Sequence, residues 1–232
     1  MISTIKMPLV FKEIIDSDKP YALLYGGRVG GKSNNTAIMS FMSMLENPYT
    51  DIIVARVSYG SMADSSYSEL EHALVENFGE FEKEFTLKKS PLRIERVNNS
   101  GTIYFLGYGG SNTSRTKSIR PKHPLRLIIF EETQELRDRR SLDEAIASFR
   151  RHFDPNVKVI FLGNPPPQEA HWFNKFIKEK QMDMDWLVKN VTWQDIVPFI
   201  NDFDLKEILK TRKFDPDYYE WFYMGKTTGS FV

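Results

Sequence analysis

Apolar and polar positions follow two rhythms along this chain, and each predicts a different kind of element. Short unbroken apolar runs recur at Ala22 to Tyr25, Asp51 to Val57, Leu125 to Phe130 and Val157 to Leu162. Runs of this kind are strands buried on both faces, as in a parallel sheet. Between them apolar residues return every third or fourth position. Val10, Phe11, Ile14 and Ile15 predict a helix over 8–17; Ala37, Ile38, Phe41, Met42 and Leu45 one over 34–45; Tyr67, Leu70, Ala73, Leu74 and Phe78 one within 58–78. The same spacing returns at Trp172, Phe173, Phe176 and Ile177, and residues 139–152 can form a further helix. Asp16 to Pro20, Asn47-Pro48 and Gly79 mark the breaks.

A strict alternation sets one region apart. Leu92 to Val97 and Thr102 to Leu106 flank Asn98-Asn99-Ser100-Gly101, which predicts a β-hairpin, read as an insertion beside the parallel sheet. The next stretch, Gly107 to Pro124, has almost no large apolar residue besides Tyr108 and Ile119, and loops of that length in a folded domain usually carry function. The last third is aromatic-rich and less regular, with a strand expected at Trp186 to Thr192 and helices near Asp204 to Arg212 and Asp217 to Tyr223. No internal repeat or low-complexity segment interrupts the pattern.

The chain has 232 residues, enough for one large α/β domain with a small appendage. The expected division is a core over 1–182 and a C-terminal lid or linker segment over 183–232. With 31 basic and 31 acidic residues the net charge is zero, so a nucleic-acid partner would have to be met by a local patch and not by the field of the whole molecule. There are no cysteines, which excludes disulfides and thiolate metal sites. The N-terminus lacks a secretory h-region and cleavage site, and no apolar run approaches a membrane span, so a soluble, cytoplasmic protein is expected.

The strand at Ala22 to Tyr25 runs into Gly26-Gly27-Arg28-Val29-Gly30-Gly31-Lys32-Ser33, and a helical pattern follows. Gly26, Gly31, Lys32 and Ser33 fit GxxxxGK[ST], a phosphate-binding loop whose backbone amides cradle phosphates, whose lysine reaches the β- and γ-phosphates and whose hydroxyl binds Mg²⁺. Glycines let the backbone approach without a Cβ, and the helix start adds unpaired amides and a positive dipole end. The bland alternative is an accidental glycine-rich turn, which the strand before it and the helix after it argue against.

Two adjacent acids, Glu131 and Glu132, close the Leu125 to Phe130 strand on the sheet edge where ligands bind. Glu131 is assigned to Mg²⁺ through its water shell and Glu132 to activating the attacking water. A glutamate is longer than the aspartate more common at the metal position. The plain alternative is a pair of acids stabilising a helix start. Asn164, just after the Val157 to Leu162 strand, can sense the γ-phosphate or simply cap a turn. Arg28 sits inside the phosphate loop and acts locally. Arg115, Lys117 and Arg120 sit on the loop before the acidic strand, where they can complete a neighbour's site, contact DNA, or face solvent. From Arg115 to Arg151 ten Lys/Arg stand against six Asp/Glu, a basic surplus that suits either charged role. The four histidines share no metal-like spacing, and Trp172 and Phe173 read as core.

These motifs, in this order, resemble the ATPase domain of bacteriophage terminase large subunits. The segments that carry the likeness are GGRVGGKS, ARVSYGSMADSSYSEL, RIERVNNSGTIYFLGYGG, LRLIIFEETQEL and FLGNPPPQEAHWFNKF, covering most of residues 21–180. The resemblance implies an ASCE-type P-loop NTPase fold, α/β with a mostly parallel central sheet flanked by helices. It implies an Mg²⁺-dependent ATPase that drives double-stranded DNA into a procapsid in the cytoplasm of an infected bacterium. Its partners would be a portal protein, a small terminase subunit and copies of itself in a ring, often a pentamer. Arg28 would act in cis, and Arg115, with Lys117 and Arg120 as rivals, in trans. Family members continue into a nuclease domain, so a motor domain without nuclease activity is expected here. A P-loop DNA helicase or translocase of related fold is the nearest rival; a P-loop kinase and a non-catalytic nucleotide scaffold are the others.

Overall fold

The computed structural model describes residues 5–108, 120–227 and 229. The apolar runs form β1 (Tyr21–Tyr25), β2 (Asp51–Arg56), β6 (Leu125–Phe130) and β7 (Phe153–Gly163), the parallel centre of one eight-stranded sheet. The sheet is completed by β3 (Phe85–Lys89), β4 (Leu92–Arg96), β5 (Thr102–Gly107) and β8 (Trp186–Asn190), in the order β3-β4-β5-β2-β6-β7-β1-β8. One strand, β7, therefore separates the strand feeding the phosphate loop from the strand that ends in the acid pair.

Period-two alternation along the buried strands gives the sheet two apolar faces. Leu24, Val54, Phe105, Ile129 and Ile160 face α1 (Leu9–Asp16), α2 (Lys32–Glu46) and α3 (Ser68–Phe78). Their neighbours Leu23, Ile53, Tyr104, Ile128 and Phe161 face α4 (Arg139–Phe149) and α5 (Trp172–Lys180). Trp172 and Phe173 join this second core, as their spacing predicts. Two further helices, α6 (Asp202–Phe214) and α7 (Pro216–Phe222), close a small third cluster on Trp193, Ile208 and Tyr219.

Two expectations need correction, and one strand goes unpredicted. The hairpin is present as β4 and β5, with Asn98 and Asn99 taking the positive φ that its tight turn requires. It is no insertion, however: β5 also pairs in parallel with β2 and is buried at all six positions, so it is part of the main sheet. A third antiparallel strand, β3, flanks it; Phe85-Thr86-Leu87-Lys88-Lys89 is too polar to announce itself as a strand. Finally, β7 begins at Phe153 and not at Val157, since its amino half is only partly buried and carries no apolar run to announce it, and the helix before it ends at Phe149.

Candidate active site

Parallel pairing brings the ends of three strands to one edge. Tyr25 is level with Gly163, and Phe161 with Phe130, so the residues that follow these strands, Gly26, Asn164 and Glu131, emerge together. At this edge lies a cavity of about 270 Å³ bounded by the phosphate loop, Glu131, Glu132 and Asn164.

The phosphate loop is shaped by its close neighbours. Gly26 has φ +146, and a Cβ there would lie 2.0 Å from the Val191 carbonyl oxygen. At Gly27 a Cβ would strike the backbone of Tyr223 at 2.2 Å. Val29 takes φ 60, a left-handed conformation unfavourable for a β-branched residue, of the kind that collects at ligand clamps. Lys32 is buried, and its ammonium donates to the Gly27 carbonyl at 2.7 Å and the Gly26 carbonyl at 3.4 Å. Burial is the largest influence on it and brings its pKa down to about 8, opposed by Glu132 and reinforced by Arg28. Ser33 is exposed in the first turn of α2 and lines the same cavity.

Across the cavity Glu131 is buried at 7% exposure, and its amide donates to the Ala55 carbonyl at 2.8 Å. Its carboxylate accepts a short hydrogen bond from the Ser66 hydroxyl. Burial pushes the Glu131 carboxyl up; the Ser66 bond and Arg56 oppose this, and Glu132 and Glu69 add to it. Glu132 is more open and takes a left-handed backbone, φ 48 and ψ 45. Its carboxylate accepts from the Gln134 side-chain amide. On the neighbouring strand end, the Asn164 amide donates to the Gln134 side-chain carbonyl at 3.1 Å, and the Asn164 side-chain oxygen is buried with no hydrogen-bond partner among the described residues.

A hydroxyl from Ser33 and a carboxylate from Glu131 on one cavity suit a hard cation such as Mg²⁺, which keeps several waters and takes few protein ligands. Among the described residues no group of three or more His, Cys, Asp or Glu forms an all-protein metal cage.

The basic candidates separate. Arg28 is exposed and lines the cavity, with its guanidinium 5.5 Å from the centre of the Phe222 ring. Arg115 and Lys117 lie outside the described residues. Arg120 is exposed and stands just before Lys122 and His123, whose amides donate to Asp51 at the start of β2. That is the amino edge of the sheet, about 20 Å from the acid pair by strand length. The structure does not bring Arg120 to the phosphate loop of its own chain.

Sequence reasoning missed three contributors. Ser66 sits in a π-helical turn, Ala63–Tyr67, that leads into α3, and Glu69 of α3 lines the cavity. A single π-turn inside a helix is a common mark of a functional site, but the apolar spacing that predicts α3 reports only its buried face. The C-terminal helix α7 packs on the phosphate loop, with the Arg28 amide donating to the Phe222 carbonyl at 2.7 Å; nothing local in either segment encodes that contact.

The sequence model of the phage terminase large subunit matches residues 18–226. The chain belongs to that family. It is 26% identical over 214 residues to the terminase large subunit of Bacillus phage SPP1, a match that covers 90% of this chain and 49% of that protein. The chain thus spans about half the length of its curated relative. Its fold is that of the large terminase of a thermophilic bacteriophage, with a TM-score of 0.72 at 17% identity, over 96% of this chain and 54% of that one. That thermophilic phage protein has also been solved in complex with ADP and with ATP-γ-S. The ATPase domain of the Thermus phage P74-26 large terminase matches over nearly its whole length, 96% of this chain and 94% of that one, with a TM-score of 0.69 at 13% identity.

Proposed function

We propose that this chain is the ATP-hydrolysing motor domain of a terminase large subunit, coupling hydrolysis to the movement of double-stranded DNA into a procapsid. The observation that carries this reading is the meeting of the phosphate loop, Glu131, Glu132 and Asn164 on one cavity. The nucleotide complexes of the thermophilic phage terminase support it. Backbone amides of Gly27 to Ser33 and the start of α2 hold the β- and γ-phosphates, and Lys32 moves from its loop carbonyls to the phosphate oxygens. Ser33 and Glu131 would hold Mg²⁺, which would supply positive charge against the polyphosphate. Glu132 takes a proton from the attacking water, and Asn164, on the neighbouring strand end of the same cavity, senses the γ-phosphate. The base has room in an adjoining cavity of about 590 Å³, where Ile38, Ile196 and Phe199 offer apolar surface beside Asn34 and Asn35.

Arg28 supplies a charge in cis. A second charge comes from a neighbouring subunit in a ring, from Arg115, Lys117 or Arg120; the position of Arg120 at the far sheet edge favours action on another copy over action in its own site. The segment after β8 serves as a lid that touches the phosphate loop through α7. Portal and small-subunit contacts and a host-cytoplasmic setting belong to the same proposal.

The test is ATP turnover measured against protein concentration, with and without double-stranded DNA. Turnover per subunit that rises with concentration and with DNA is expected; absence of hydrolysis under every condition would overturn the reading. Strand separation by the protein would favour the helicase alternative.

A further inference from the structure

We propose that Gln134 is a positioning residue for hydrolysis, holding the Glu132 carboxylate and the Asn164 loop in register and extending that link to the C-terminal helix through Trp221. The proposal rests on the assignment of Glu132 as the water-activating acid.

The side-chain amide of Gln134 is used at both ends. Its nitrogen donates to Glu132 and its oxygen accepts from the Asn164 amide at 3.1 Å. Only a side chain with a donor and an acceptor on one rigid plane can make both bonds, which among residues of this length means glutamine. The space for it is created by Gly163, where a Cβ would lie 2.9 Å from the Gln134 oxygen and 2.3 Å from the Phe173 ring. Glu132 needs the restraint. Its left-handed backbone is a costly conformation for a non-glycine residue, and the side chain that must meet a water is long and rotatable.

The link continues beyond the acid. Next to Asn164, the Pro165 carbonyl accepts from the Trp221 indole at 3.0 Å. The following residue, Phe222, accepts from the Arg28 amide and lies under the Arg28 guanidinium. A path of direct bonds and chain neighbours therefore runs from Glu132 through Gln134, Asn164, Pro165, Trp221 and Phe222 back to the phosphate loop. During hydrolysis the water oxygen bonds the γ-phosphorus as the β,γ-bridging bond breaks, and the water's proton passes to Glu132. The carboxylate then becomes a neutral acid, and its charge-assisted bond to Gln134 weakens. The register between the acid strand and the Asn164 loop is released at that moment, and α7 receives the change through Pro165 and Trp221.

The experiment compares Gln134→Leu, which removes both bonds, with Gln134→Glu, which keeps an acceptor for the Asn164 amide but has no donor for Glu132. Single-turnover hydrolysis and affinity for ATP-γ-S are measured in each, with Glu132→Gln as a control. Both Gln134 variants should lose about a hundredfold in turnover, the scale of a misplaced catalytic group, while ATP-γ-S affinity stays within about threefold, since Gln134 does not line the phosphate cavity. The Trp221 fluorescence change that accompanies single-turnover ATP hydrolysis, taken as the difference from Trp221→Phe, should be lost in Gln134→Leu; its persistence there would overturn the link to α7. Near-normal turnover in Gln134→Glu would overturn the link to Glu132, as would a loss of ATP-γ-S affinity equal to the loss of rate. If Gln134→Leu fails to fold, Gln134→Glu decides. Normal turnover in Glu132→Gln would instead remove the acid assignment, a failure separate from that of Gln134.

Discussion

At the scale of single residues, the proposed roles divide binding from chemistry. Lys32 is buried and donates to loop carbonyls that a polyphosphate would replace, so on the proposed reading it serves nucleotide affinity in ground and transition states alike. Lys32→Ala should weaken ATP binding about 10- to 150-fold, the worth of a charge-assisted hydrogen bond, and lower turnover as well; a fluorescent-nucleotide titration with unchanged affinity would remove Lys32 from the site. Glu132 differs because it stands beyond the phosphate cradle on a strained backbone. Glu132→Gln keeps its shape and a hydrogen bond but loses the base, so ATP should bind normally and turnover fall by about 10² to 10⁴. Persistence of bound, uncleaved ATP after rapid gel filtration checks this.

At the scale of elements, the position of Glu131 is decided by a turn 65 residues earlier. The π-helical turn before α3 points Ser66 at the Glu131 carboxylate and Ser65 at Arg56, whose guanidinium donates to the Ser65 hydroxyl at 2.7 Å. A side chain that orients a metal-holding carboxylate commonly contributes about 10- to 100-fold in metal affinity. Ser66→Ala should therefore raise the Mg²⁺ concentration needed for tight ATP-γ-S binding by about tenfold, with binding in excess EDTA unchanged. A Mg²⁺ titration that overlays the parent protein's would show that Glu131 holds its place unaided. The same element explains what periodicity can and cannot reveal. Leu70, Ala73, Leu74 and Phe78 announce α3 because they repeat on its buried face, whereas Ser66 is a buried polar residue in the turn ahead of the helix and Glu69 lies off the apolar face.

At the scale of the whole molecule, the sheet sets the phosphate site and the Arg120 region at opposite edges. If the basic loop completes a neighbour's site, a lone subunit has an incomplete transition-state clamp, and a finger supplied in trans is worth about 10³ to 10⁵ in rate. Mixing an Arg115→Ala, Lys117→Ala, Arg120→Ala triple variant with Glu132→Gln should then restore part of the turnover that each lacks alone. Restoration fails if the loop serves DNA instead; in that case the triple variant keeps basal hydrolysis and loses stimulation by DNA.

What the sequence determined by itself is the part of this protein whose physics is local. The strand, the glycine-rich turn and the helix that surround Gly26 to Ser33 were legible because strand burial, glycine spacing and a helix start act over a few residues. The buried runs ending at Tyr25, Phe130 and Leu162 likewise mark the central strands, since a strand covered on both faces must be apolar throughout. The general rule for open α/β sheets placed these ends on one edge; tertiary structure decided which side chains actually meet there. Parallel register sets Glu131, Asn164 and Gly26 around one edge, and it turns the predicted hairpin into part of the main sheet by pairing β5 with β2. It also lays α7 on the phosphate loop and seats Gln134 between two strand ends. Those contacts join residues far apart in the chain through single hydrogen bonds and close backbone approaches, which leave no repeating pattern in either partner's sequence.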